Sequence, residues 1–314
     1  MLSGEEVQSE MTRSILTWQI MGDDLVGTCH MPSWTQSDGN TSAHCAAVLL
    51  LNPGPAPRAG NSDLSVRIGD RLASRGFHVF RFDLPGLGDS SGSVPAEIHT
   101  YWQEILRGRN DAATQALIDR IKHQFGIKKV IVGGLCAATV PTLYVAGRYE
   151  GLIAGVILIE PAFRLPRVNA VENAQAGTTM AATFRAKAKL RKLFSFSDWL
   201  IFLAGESRIA VLLRPFLTRI HQKLVGHALP IDMNVPLFMH WRGSIVRGTH
   251  SLVIVAEGLG NDRYVDRAIE SLPTKASGKI RLIRVPNTNH ILTSGNARGV
   301  VLDALEQWML ERFH

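Results

Sequence analysis

The sequence IVGGLCAATV, from Ile131 to Val140, decides how the rest of the chain is interpreted. Apolar and small residues lead into a turn of small residues that has one reactive side chain, the thiol of Cys136, at its tip. Helix-compatible residues follow the turn. A strand, a tight turn and a helix in this order are typical of a nucleophile held out at the carboxyl end of a strand. A buried structural cysteine is the alternative, because most free cysteines are buried.

The residues around Cys136 fit what this chemistry requires. Gly134 leaves room for a sharp turn, and Ala138 keeps the following position small. A helix that begins beneath the sulfur stabilises negative charge developing there. The segment alone does not exclude a structural cysteine, so the remainder of the chain has to decide.

Apolar runs alternate with helical patterns along most of the chain. This alternation predicts the α/β class, with a mostly parallel central sheet flanked by helices on both faces. Roughly Ala96–Phe125 is expected to be helical. The predicted strands are a hairpin of Ser14–Ile20 and Leu25–His30, followed by Ala46–Leu51, Phe77–Phe82, Lys129–Val132, Ala154–Glu160, Leu252–Ala256 and Ile280–Val285.

One connection is far longer than an ordinary crossover. Between Pro161 and Thr249 the pattern is almost entirely that of amphipathic helices. We interpret residues 161–240 as a helical cap inserted between core strands, with residues 1–160 and 241–314 forming the core.

Candidate partners for Cys136 lie late in the chain. His290, in the loop before the final helix, has the position expected of a general base. For the carboxylate, Asp262 in the glycine-rich loop after Leu252–Ala256 is preferred and Glu257 is its competitor. Glu160, after an earlier strand, is a weaker candidate, and each of these carboxylates has the alternative of capping the next helix.

The oxyanion hole is predicted from backbone donors. One N–H should come from Ala137, the residue after the nucleophile, and another from the loop after Ala46–Leu51. Prolines at positions 53, 55 and 57 have no N–H to donate, which leaves Gly54 and Ala56, and Ala56 is favoured.

Four segments carry a family resemblance: GPAPRAG (54–60), FRFDLPGLGDSSG (80–92), GLCAA around Cys136, and FSFSDWLIFLAGE (194–206). The chain resembles the α/β-hydrolase superfamily, in particular its cysteine-nucleophile members and the exosortase-associated hydrolase subgroup. The resemblance implies an acyl-transfer or hydrolytic enzyme with Cys136 as nucleophile and His290 as base. It implies no particular substrate.

The charge distribution bears on the substrate. Residues 161–240 contain 11 Lys and Arg against four acidic residues, which accounts for the whole net charge of +7. A basic cap would attract an acidic acyl donor, either an acyl carrier protein or coenzyme A. A solvated helix face is the alternative, and no nucleic-acid module is recognisable. The candidate docking residues are Arg185, Lys189, Arg191 and Lys192.

The sequence therefore favours an acyltransferase that takes an acyl group from a thioester through Cys136 to a small hydroxyl or amine acceptor. A thioester, ester or lactone hydrolase using water is the alternative, and a non-catalytic ligand-binding protein is the second. No cofactor, metal or stable membrane insertion is expected. Three cysteines and no recognisable signal peptide favour a cytoplasmic location.

Overall fold

The computed structural model of the chain describes residues 12–32, 46–165, 229–230 and 232–313. The chain divides into two compact units, one of Met1–Arg164 with Asn234–His314 and one of Leu165–Met233. The candidate docking residues Arg185, Lys189, Arg191 and Lys192 lie outside the described residues.

An eight-stranded sheet forms the first unit, in the order β1-β2-β4-β3-β5-β6-β7-β8. The first two strands pair antiparallel with each other, β2 pairs antiparallel with β4, and every other pairing is parallel. The predicted α/β-hydrolase architecture with a mostly parallel sheet is confirmed. The strands are β1 (Thr12–Ile20), β2 (Asp23–Met31), β3 (Ala46–Leu50), β4 (His78–Phe82), β5 (Lys129–Leu135), β6 (Gly155–Ile159), β7 (His250–Ala256) and β8 (Ile280–Val285).

Helices cover both faces of this sheet. The buried central strands are continuous apolar runs, because a parallel sheet covered on both faces exposes neither side to water. The α-helices among the described residues are α1 (Leu64–Ala73), α2 (Ile98–Leu106), α3 (Asp111–Phe125), α4 (Thr139–Arg148), α5 (Val235–Val246), α6 (Asn261–Glu270) and α7 (Gly295–Phe313).

The stretch expected to be helical, roughly Ala96–Phe125, forms two helices. The chain forms α2 and α3, with a break between them in which Gly108 has a φ of 91°. This left-handed conformation ends a helix, and glycine adopts it without a steric penalty. The Tyr144 hydroxyl donates to the carbonyl of Leu106 at 2.9 Å and so satisfies a group that the end of α2 leaves open.

The second segment of the core begins at Asn234, seven residues before the predicted start at residue 241. Helix α5 begins at Val235, and its first residues belong to the same unit as the sheet. Phe238 and Trp241 are fully buried, which explains why this helix folds with the core. The Asn234 side chain accepts from the Leu237 N–H and caps the helix. The rest of the helical cap predicted over residues 161–240 lies mostly outside the described residues and stays a prediction.

Candidate active site

The turn after β5 has the geometry of a nucleophile elbow. Cys136 has a φ of 54°, a left-handed conformation that is strained for a residue with a side chain. It begins a 3₁₀ turn over Cys136–Ala138 that leads directly into α4. The Thr139 hydroxyl donates to the Cys136 carbonyl at 2.6 Å and holds the turn.

Small residues are required on either side of Cys136. Gly134 has a φ of 150°, and a Cβ placed there would lie 2.7 Å from the Cβ of Ala138 and 3.0 Å from the carbonyl oxygen of Leu51. Gly134 and Ala138 therefore sit against each other under the elbow. This contact limits the size of both residues.

His290 lies in a loop between β8 and α7 that is fixed on both sides. The side chains of Asn289 and Thr293 bond to each other at 2.9 Å, and the Thr293 N–H donates to the Asn289 side-chain oxygen at 3.1 Å. Leu292 is buried in the core. These contacts hold the loop while the imidazole stays accessible, with 47% of the His290 side chain exposed.

Glu160 is the carboxylate beside the imidazole. His290 Nδ1 lies 2.9 Å from Glu160 Oε2. The Glu160 side chain follows β6 and has 0% exposure. Its other donors are the backbone N–H of Ala256 and the Asn261 side-chain amide, the latter at 3.0 Å. A buried carboxylate needs such donors, because an unpaired charge in the interior is strongly unfavourable.

The preferred carboxylate, Asp262, is not placed against His290. Its two oxygens accept from the N–H groups of Gly258 and Arg263, both at 3.0 Å, within its own loop. Burial raises the pKa of Asp262, but these backbone donors outweigh burial and hold the pKa below its usual value. Asp262 thus orders the start of α6, the alternative role considered for it.

The competitor Glu257 is exposed after β7, and among the described residues the carboxylate bonded to His290 is Glu160. The structure therefore brings Glu160, the weaker candidate, against His290, and not the preferred Asp262 or its competitor Glu257. The sequence holds no signal that separates Glu160 from Glu257, because each is a carboxylate that directly follows a buried apolar strand, β6 or β7.

His290 is bonded to Glu160 and is influenced by Cys136 on its other side. The Cys136 side chain and the Glu160 carboxylate raise the pKa of His290 to about 10, and together they outweigh burial, which lowers it. Because Nδ1 faces Glu160, Nε2 is the nitrogen left for the thiol. The arrangement favours a protonated imidazole on the side of Cys136.

The predicted oxyanion donors are only partly brought together. Ala137 is buried at the start of the turn, and Gly54 lies next to it, since a Cβ on Gly54 would be 3.7 Å from the Ala137 Cβ. The Gly54 N–H, however, already donates to the Asn52 carbonyl at 3.0 Å. The Ala56 N–H makes no recorded hydrogen bond to a described residue, so it stays the predicted second donor.

Buried polar residues that the sequence analysis did not identify hold the 52–58 loop. The Asn52 amide donates to the Ala56 carbonyl at 2.9 Å and to Asp83 at 2.8 Å. Asp83, with 0% exposure, also accepts from the Arg58 N–H and guanidinium. The Arg58 side chain is therefore engaged by Asp83 and Asp89. The loop is pre-ordered by this network as well as by its prolines.

Within the described ranges, no group of three or more His, Cys, Asp or Glu side chains is arranged to bind a metal ion. Over the same ranges, none of the helices combines the length and the apolar character needed to cross a bilayer.

A family model of the α/β-hydrolase fold matches residues 47–221. The chain belongs to this family. No curated protein sequence matches the chain.

Many solved structures share the fold. Dienelactone hydrolase from Anabaena variabilis is similar with a TM-score of 0.54 and 12% identity, over 97% of this chain and 99% of that one. Est1E from Butyrivibrio proteoclasticus gives a TM-score of 0.52 and 12% identity, over 95% and 98%. A thermophilic esterase from Thermogutta terrifontis, with malate bound, gives 0.53 and 16%, over 97% and 100%. At these identities the likeness shows the fold.

Proposed function

We propose that the protein is an acyl-transfer enzyme that carries its acyl group on Cys136, with His290 as general base and Glu160 as the carboxylate that orients His290. The observation that carries the proposal is the hydrogen bond from His290 to the buried Glu160 carboxylate, together with the influence of Cys136 on His290 and the strained elbow at Cys136. Strain at such a turn is typical of a residue whose side chain must be presented to a substrate.

Acyl-enzyme formation uses the thiolate of Cys136. The sulfur attacks the carbonyl carbon of a thioester, and the tetrahedral intermediate collapses with cleavage of the bond to the donor sulfur. The His290 imidazolium gives its proton to the departing thiolate. The N–H of Ala137, with Ala56 as the second donor, would stabilise the negative oxygen.

Deacylation reverses these roles. Neutral His290 takes a proton from a hydroxyl or amine acceptor, which attacks the S-acyl carbonyl and releases Cys136 as thiolate. A thioester donor suits this nucleophile, because exchanging one thioester for another is nearly thermoneutral. The small acceptor and an acyl donor on coenzyme A or an acidic carrier protein are part of the proposal.

Acyl thioesters of both carriers provide the test. Incubation should add the acyl mass to the wild-type protein and not to Cys136→Ala. Cys29, the other described free cysteine, is buried, and burial raises its pKa to about 12, so Cys29→Ala is a matched control that should still be acylated. Acylation of Cys136→Ala at the wild-type level would refute the proposal.

A hydrolase is the second candidate, and one observation favours it. The exposed His290 side chain is open to water, the alternative acceptor. If free acid is released as fast as Cys136 is acylated, and if added hydroxyl or amine acceptors do not increase the rate of turnover, the protein is a hydrolase.

The basic segment supplies a further part of the proposal. We place donor docking at Arg185, Lys189, Arg191 and Lys192, because the 161–240 interval carries the net positive charge of the chain. Charge reversal at Arg191 and Lys192 should slow acylation by a carrier-protein thioester more than by a pantetheine thioester. Equal slowing would exclude this docking role. Membership of the exosortase-associated subgroup and a cytoplasmic location belong to the same proposal.

A further inference from the structure

The Thr139 hydroxyl makes two hydrogen bonds at the elbow, one within the turn and one to a distant part of the chain. It donates to the Cys136 carbonyl at 2.6 Å and accepts from the backbone N–H of Ala162 at 3.1 Å. Thr139 is fully buried at the first position of α4, where both bonds lie in an environment of low dielectric. The hydroxyl therefore joins the turn that carries the nucleophile to the segment that follows Glu160.

The Cys136 carbonyl shares its peptide group with the N–H of Ala137, which is the predicted oxyanion donor. This peptide bond is trans, so the carbonyl oxygen and the N–H point in opposite directions within one plane. A bond that fixes the direction of the oxygen therefore also fixes the direction of the N–H. The Ala137 N–H lies in the first turn of a helix, where an N–H has no acceptor within the helix.

The donors at this point form a chain in which each one points the same way. The Ala162 N–H donates to the Thr139 hydroxyl, and that hydroxyl donates to the Cys136 carbonyl. The N–H of the same peptide group is left to donate to an oxyanion. Hydrogen bonds arranged head to tail strengthen one another by roughly 10–30% per bond, so the chain makes the Ala137 N–H a better donor.

We propose that Thr139 is a positioning residue of the oxyanion hole, whose hydroxyl orients and polarises the peptide group that supplies the Ala137 N–H. The inference rests on the proposed function and adds a residue that acts through Ala137. The negative oxygen exists only in the tetrahedral intermediate and the transition states around it. Loss of the Thr139 hydroxyl should therefore lower the rate of acylation and leave binding of the donor unchanged.

Thr142 supplies a matched control on the same helix. Its hydroxyl donates to the Ala138 carbonyl at 2.8 Å, and its side chain is also fully buried. A bond to the carbonyl four residues earlier is a common local contact of threonine in helices. The Ala138 carbonyl shares its peptide group with the Thr139 N–H and not with the Ala137 N–H. Thr142→Val should therefore affect stability without affecting the oxyanion donor.

The kinetic test is acylation of Cys136 by butyryl-coenzyme A, followed by intact mass over a series of donor concentrations. Thr139→Val keeps the shape of the side chain and removes both bonds of the hydroxyl. Its maximal acylation rate should fall about tenfold, whereas losing an oxyanion donor outright costs roughly 100- to 1,000-fold. The smaller loss is expected because the Thr139 N–H still faces the Cys136 carbonyl.

Three comparisons identify the cause of that loss. The half-saturating donor concentration of Thr139→Val should stay within about twofold of the wild-type value. Thr139→Ser, which restores the hydroxyl, should recover the acylation rate to within about threefold of wild type, and Thr142→Val should show no larger loss. Equal slowing of Thr139→Val and Thr142→Val, or a loss confined to the half-saturating concentration, would overturn the proposal and leave Thr139 as a support of the turn only.

A readout without chemistry separates this inference from the proposed function. The dipeptide Cys-Ala occurs twice in the sequence, at 45–46 and at 136–137. Protein labelled with ¹³C at the cysteine carbonyls and with ¹⁵N in alanine therefore gives two coupled amide signals, and Cys45→Ser removes the one from Ala46. The remaining signal, from Ala137, should move upfield in Thr139→Val and stay in place in Thr139→Ser and Thr142→Val.

The two readouts can fail independently. An Ala137 signal that depends on the Thr139 hydroxyl, in a wild-type protein that no thioester acylates, would support the polarised peptide group and refute acyl transfer. An Ala137 signal that does not move in Thr139→Val would overturn the proposal, whereas an adduct on Cys136 in the same protein would still support acyl transfer.

Discussion

Replacing Glu160 by glutamine tests the assignment of the carboxylate. The amide has nearly the shape of the carboxylate but only one accepting oxygen. Glu160 accepts from the Ala256 N–H, the Asn261 amide and His290. If the glutamine oxygen keeps the bond to the Ala256 N–H, the glutamine NH₂ group faces the Asn261 amide and His290, which are both donors. His290 then loses the acceptor that orients Nδ1.

The expected loss in kcat/KM is about 100- to 1,000-fold. Removing the charge of a buried carboxylate in a catalytic triad costs roughly 10⁴-fold in a serine protease. We expect less here, because the His290 side chain is 47% exposed and water can replace part of the lost interaction. The mismatched donors should also reduce the free energy of unfolding by about 1–3 kcal/mol.

The assay is acylation of Cys136 by a thioester under single-turnover conditions, with thermal unfolding measured on the same samples. Glu257→Gln is the matched control, since Glu257 is exposed and lies outside the site, and it should stay within about threefold of wild type. A folded Glu160→Gln protein with wild-type acylation would refute the assignment. So would an Asp262→Asn protein that loses as much activity as Glu160→Gln.

Three further predictions concern the support of the site. Asn261→Ala, which removes the amide that donates to Glu160, should lower kcat/KM roughly tenfold. Asn261→Asp places a second carboxylate against Glu160 and should lower kcat/KM further. Wild-type activity in both variants would exclude a positioning role for Asn261. In Gly134→Ala the added Cβ would lie 2.7 Å from the Ala138 Cβ, so this variant should unfold at a clearly lower temperature than Gly126→Ala. Gly126 also has a positive φ, but a Cβ there meets nothing within 4 Å. Equal melting temperatures of the two variants would show that the elbow is not tightly packed. Because the pKa of His290 is raised from 6.5 to about 10, its protonated form stabilises the fold fully below about pH 6.5, and this contribution disappears as the pH rises through 10. The difference in melting temperature between wild type and His290→Ala should therefore shrink from pH 6 to pH 10.5. A constant difference would contradict the pairing of His290 with Glu160.

The fold was predictable because local pattern and tertiary structure agree. Strands such as β3 and β6 are uninterrupted apolar runs. A short continuous apolar run is typical of a strand at the centre of a parallel sheet that is covered on both faces. The break between α2 and α3 was missed, because a single glycine in a helical pattern is often tolerated. Here Gly108 adopts a left-handed conformation, and the Tyr144 hydroxyl bonds to the end of α2.

The positions of Cys136 and His290 follow from chain order, whereas the carboxylate depends on a three-dimensional choice. Asp262 and Glu160 both follow strands of the same sheet. The sequence does not show that the Asp262 oxygens are taken by the N–H groups of its own loop. Nor does it show that Asn261 reaches back to Glu160, a bond between residues 101 positions apart.

The most direct test of the central claim is the intact mass of the protein after mixing with acyl thioesters of coenzyme A and of carrier protein. We predict a single acyl adduct on wild type, absent from Cys136→Ala, retained by Cys29→Ala and formed far more slowly by His290→Ala. Turnover of a thioester by Cys136→Ala at the wild-type rate, or an adduct that maps to another residue, would contradict the account.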